Sequence, residues 1–144
     1  MKTRVIIHHT GFHRWNSKST EQERNHSQRT IICEVSETAR GAEIAEQAFY
    51  DTNAPMALLN EVSRSGDKCY STSVGDFVQV EAPWNPLEIE IWLCTGGGWE
   101  PVEIVEFHAL IGLQYKAFLD DENTRWSMDR EGREALAQIR SALV

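Results

Sequence analysis

The chain has 144 residues, 41% of them hydrophobic and 25% charged, and carries a net charge of −8. That length and apolar content suffice for one domain around its own core, which excludes wholesale disorder and a fold that depends on disulfides or metal. No apolar run approaches a membrane span, and Val5-Ile6-Ile7 is too short for the core of a signal peptide, so the expectation is a soluble cytoplasmic domain.

Lys2 to His9 reads as a first strand with β-branched residues at its centre. Gly11 to Gln28 is polar and aperiodic, a long exposed loop of the kind that is more often functional than incidental. Arg29 to Val35 is a second strand. Gly41 to Asp51 is helical, with Ile44, Ala45, Ala48 and Phe49 on one stripe, and Asn53-Ala54-Pro55 ends it because the residue before proline avoids the helical region. Met56 to Val62 is either a short helix or an extended lead-in. Cys69 to Ser73 is extended, Val74-Gly75-Asp76 turns, and Phe77 to Glu81 is a third strand. The two prolines of Ala82 to Pro86 confine that segment to a connection.

Glu88 to Cys94 alternates as a strand, with Ile89, Ile91 and Leu93 on one face and Glu88, Glu90, Trp92 and Cys94 on the other. Thr95 to Gly98 is a turn and Trp99 to Val102 a hairpin return. Glu103 to Ala117 is ambiguous, with helix favoured by its length. After an Asp120–Asn123 loop, Ser127 can cap a last helix over 128–143 whose stripe is Leu136, Ile139 and Leu143. The expected fold is therefore α+β over the whole of 1–144: one mixed, mostly antiparallel sheet with two or three flanking helices.

The charge is unevenly spread. Residues 1–40 hold seven Lys/Arg against four Glu, whereas residues 69–115 hold none against seven acids: Asp76, Glu81, Glu88, Glu90, Glu100, Glu103 and Glu106. Trp84, Trp92 and Trp99 are interleaved with those carboxylates. Aromatics anchor interfaces and carboxylates steer basic partners, so Glu81, Trp84, Glu88, Glu90, Trp92, Trp99, Glu100 and Glu103 form the candidate binding surface for a basic protein. A solvated sheet face with ordinary solubility charges is the plain alternative. Direct binding of nucleic acid is disfavoured, because it depends on neutralising phosphates and the one basic stretch, Arg14, Lys18, Arg24 and Arg29, is sparse.

The stretch AFYDTNAP, followed after a spacer by YSTSVGDFVQV and then WLCTGGGWEPV, resembles the small YodL-like domains of phages, plasmids and conjugative elements. The matching positions are Phe49, Thr52, Asn53, Ser71, Ser73, Val74, Gly75, Asp76, Trp92, Cys94, Gly98 and Trp99. The resemblance covers about 50 residues in pieces and implies a mobile-element setting in a bacterial host cell, with no activity attached.

No motif in the chain specifies chemistry. His8 and His9 point to opposite faces of a strand, and neither they nor His13 and His26 stand at a familiar metal-ligand spacing, so no metal or cofactor is expected. Cys33, Cys69 and Cys94 show no CxxC spacing and are read as reduced thiols; a Cys33–His108 nucleophilic pair has no local mark of activation. Thr95-Gly96-Gly97-Gly98 lacks the Lys-Ser/Thr and the following helix of a phosphate loop. In Val74-Gly75-Asp76 the glycine supplies a positive φ and the aspartate binds nearby amides. The sequence thus points to a non-enzymatic phage or plasmid accessory protein that binds a basic partner, such as a host defence or nucleic-acid-handling factor. The alternative is a small-ligand-binding or hydrolytic domain whose 11–28 loop covers a pocket with His13, Arg14 or Trp15.

Overall fold

The computed structural model describes residues 1–10, 28–53, 72–81, 88–120 and 126–142. Among these residues five strands and three helices follow one another: β1 (Lys2–His8), β2 (Gln28–Glu34), α1 (Ala42–Asn53), β3 (Phe77–Glu81), β4 (Ile89–Thr95), β5 (Gly98–Val102), α2 (Ile104–Asp120) and α3 (Glu131–Ala142). The strands form one sheet in the order β2-β1-β3-β4-β5, and every ladder is antiparallel. The α+β expectation holds, with no parallel pair in the sheet. The readings of residues 11–27, 56–62 and 82–87 lie outside the described residues.

Alternation decides which side chains each face buries. On one face Val5, Ile7, Ile31, Cys33, Val78 and Val80 pack beneath Ile44, Ala45 and Ala48 of α1, with Trp92 and Trp99 half-buried at the margin. On the other, Phe77, Ile91, Leu93 and Val102 pack against Phe107 and Leu110 of α2 and against Met128 and Leu136 at α3. Phe77 is fully buried in the second cluster, and side chains of its kind contribute roughly 1.5–3 kcal/mol each when removed from water. Of the polar-looking face of β4, Trp92 packs half-buried against the first cluster and Cys94 is buried, while Glu88 is exposed.

Close approach fixes the start of α1. Gly41 has φ +55°, and a Cβ there would lie 2.9 Å from Cζ2 of Trp92. Glycine alone meets both conditions without strain. The ambiguous segment after β5 is α2: Phe107, Leu110 and Gln114 are buried at helical spacing, while Ile104, Val105, Leu113 and Tyr115 are exposed and blur the stripe in the sequence. The Glu106 carboxylate accepts the Glu103 amide at 2.9 Å, the returning half of a capping box at the start of that helix. Helix α3 begins at Glu131, later than the expected 128. Ser127 still receives the Arg130 amide on its hydroxyl, at 3.4 Å, and donates its own amide to the Glu131 carboxylate at 2.7 Å.

Candidate functional site

Among the described residues, two of the places that gather polar side chains differ in access. The first is a buried hub at Asp76. Its Oδ1 accepts the Thr10 amide at 3.0 Å; its Oδ2 accepts the Ser73 amide at 3.0 Å and lies 3.0 Å from Nδ1 of His9. Gly75, at φ 95°, turns the chain, and its carbonyl accepts the Thr10 hydroxyl at 2.5 Å. Gln114 of α2 donates to the Thr10 carbonyl at 2.7 Å. From the other side, the end of α1 reaches in: the Thr52 and Thr72 hydroxyls are 2.7 Å apart, and Asn53 donates to the Thr72 carbonyl at 3.0 Å. The Thr-Asn pair and the Ser-Val-Gly-Asp turn, distant in sequence, therefore meet in one structural unit, and the glycine and aspartate do what the turn chemistry requires.

This hub ties the end of β1, the end of α1, the turn before β3 and α2 together, and it is buried: His9 and Asp76 are 3% and 1% exposed. The neighbouring Cys94 thiol is pushed up to about 12, by burial first and then by the negative charges of Asp76, Glu46 and Asp129, so it stays protonated and unreactive. Cys33 lies under α1, whereas His108 is exposed on α2 across the sheet, which separates the two members of that candidate pair. His8 bonds Gln79 at 2.9 Å beside the Phe107 ring, and burial holds its imidazole below the ordinary value. Among the described residues no three His, Cys, Asp or Glu side chains gather as metal ligands. His13, Arg14, Trp15, His26, Cys69 and Trp84 lie outside the described residues.

The second place is a shallow, open depression between α1 and β5, lined by Ala42, Glu43, Glu46, Gln47, Tyr50 and Trp99. The Trp99 ring stands edge-on to Phe49, at 6.2 Å and 83°, and its indole N–H donates to the Glu46 carboxylate at 2.6 Å. Indole and carboxylate thus hold each other at the rim while the ring stays half-exposed. Tyr50 is 67% exposed beside them. Among the described residues the lining holds two carboxylates and no cation.

The structure divides the sequence-derived surface between the two faces of the sheet. Trp92, Trp99 and Glu90 belong to the α1 face, where Glu90 accepts the Trp92 indole N–H at 3.3 Å. Glu81 and Glu100 pair with Ile89 and Leu93 across the ladders, which puts both on the α2–α3 face. Glu81 meets Arg4 at 3.7 Å, and Glu100 binds Arg140 at 2.7 Å. Glu88 and Glu103 are exposed at the starts of β4 and α2. Among the described residues of that set, Glu81 and Glu100 thus lie across the sheet from Glu90, Trp92 and Trp99, and arginines from the first and last elements pair with those two carboxylates. Glu43, Glu46 and Tyr50 were missed; their spacing on the helix face opposite Ile44, Ala45 and Ala48 was the available signal.

Comparison with protein-family models, with curated proteins and with solved structures returned no match. Among the described residues, no helix is long and apolar enough to cross a membrane.

Proposed function

We propose that the chain is a non-enzymatic binding module that takes a basic segment of another protein on the surface built by Glu43, Glu46, Tyr50 and Trp99. The observation that carries this reading is the half-exposed Trp99 indole, fixed by Glu46 in a depression whose described lining has two carboxylates and no cation. An aromatic anchor among like charges suits a Lys or Arg side chain, which gains cation–π contact with the ring and an ion pair with the neighbouring carboxylate. The charge of the chain favours the same class of partner, since residues 41–63 contain no Lys or Arg. The YodL-like resemblance is the ground for placing the module on a phage or plasmid, acting in the host cytoplasm on a defence or nucleic-acid-handling factor.

Reversing Glu43→Lys with Glu46→Lys tests it by stopped-flow association with a Lys/Arg-rich peptide. The double variant is expected to slow association by roughly tenfold at low salt and to flatten its salt dependence, because steering acts on the on-rate. An unchanged rate and salt slope would remove this surface from the account.

A further inference from the structure

The far edge of the sheet carries a separate inference. Strand β2 is the edge opposite β5 in the sheet order, and among the described residues only β1 pairs with it. The Met1 ammonium and the Val35 amide exchange bonds with each other's carbonyls, both at 2.8 Å, so residues 35, 33, 31 and 29 aim their backbone groups inward at β1. By alternation, Gln28, Thr30, Ile32 and Glu34 aim their N–H and C=O groups outward.

Edges of this kind are normally blunted by proline, lysine, a bulge or a short length. Strand β5 has such a device in Pro101 and is five residues long. Strand β2 has seven residues in unbroken register with β1, without proline, lysine or bulge, and Ile32 on it is 60% exposed.

We infer that β2 pairs antiparallel with β2 of a second copy about a two-fold axis at Ile31, joining two five-stranded sheets into one. Three features favour a second copy as the occupant. The strand is its own complement over all seven residues in that register, with Thr30 opposite the other copy's Ile32 and Gln28 opposite its Glu34. The pairing brings the two exposed isoleucines to diagonal positions on the open face, where they shield each other from water. The strand also holds one Arg and one Glu, so on a chain of net charge −8 it is neutral and adds no net repulsion where two copies meet. The Trp99 side of each depression lies on β5, the edge opposite the paired strands.

Sedimentation of the full chain over a concentration series, with Ile32→Lys and Thr30→Pro as variants, tests the pairing. The wild type is expected to dimerise reversibly and more tightly as salt screens the net charge, the opposite salt dependence from basic-peptide binding. Each variant is expected to weaken the dimer by roughly tenfold or more while leaving peptide binding unchanged. Hydrogen exchange on the wild type supplies a readout that needs no variant to fold: the amides of Thr30, Ile32 and Glu34 should gain protection with concentration. Those of Ile31 and Cys33, already bonded to β1, should not. A wild-type chain that stays monomeric overturns the inference, as does a dimer that survives Ile32→Lys without protection at the outward amides. Protection of those amides only when a different protein is added also overturns it, by giving the edge another occupant.

Discussion

Asp76 makes more polar contacts than its place in a short turn suggests. Its buried carboxylate receives two backbone amides and the His9 ring, and removing it takes that acceptor from all three. Asp76→Ala should therefore cost about 3 kcal/mol in urea unfolding, with the 72–77 region loosened first. His8 gives a pH dependence of known sign. Burial, its main influence, holds the folded imidazole below the ordinary 6.5 despite the Gln79 bond, and His9 and His108 act in the same direction as burial. The unfolded chain then takes up the proton first, so stability is fully present above 6.5 and falls as the pH drops below it. Unfolding curves between about pH 7.5 and 5 should show that loss, and His8→Gln should reduce its slope. A steeper slope in the variant would contradict the assignment. The bonding role of Asp76 was legible in the Val-Gly-Asp turn, but its pairing with His9 was not, because 67 residues separate the two.

At the scale of elements, Arg140 ties α3 by polar contacts to β5 and α2, beside the apolar packing of Leu136. Its guanidinium donates to Glu106 at 2.9 Å, to Glu100 at 2.7 Å and to the Pro101 carbonyl at 2.7 Å, and it holds the Glu106 carboxyl below its usual range. Fork geometry serves three acceptors at once, which an ammonium cannot reproduce. Arg140→Met should destabilise the chain by about 1–2 kcal/mol, discounted for partial exposure, and speed hydrogen exchange in α3; Arg140→Lys should restore only part. Strand and helix positions were readable because their periods are clean: Val5 and Ile7 alternate, and Ile44, Ala45 and Ala48 repeat at helical spacing. The face of each carboxylate was not, since the β4–β5 register alone sends Glu90 and Glu100 to opposite sides.

For the whole molecule, the acidic character of residues 69–115 is partly answered from outside the segment, by Arg4 and Arg140. The Lys/Arg-free stretch thus marked a region where long-range ion pairs form, and its charge sum overstated the free negative surface. The acidic, aromatic depression instead combines one strand with a helix some fifty residues earlier, joined by the Trp99–Glu46 bond. The most direct measurement is the indole N–H spectrum of the chain during titration with a Lys/Arg-rich peptide. If the account is right, the Trp99 signal shifts progressively with peptide, while that of Trp126, packed against Gly132 of α3 in the other cluster, stays in place. A Trp99 signal that does not move at saturating peptide, or one that moves no more than Trp126, would contradict it.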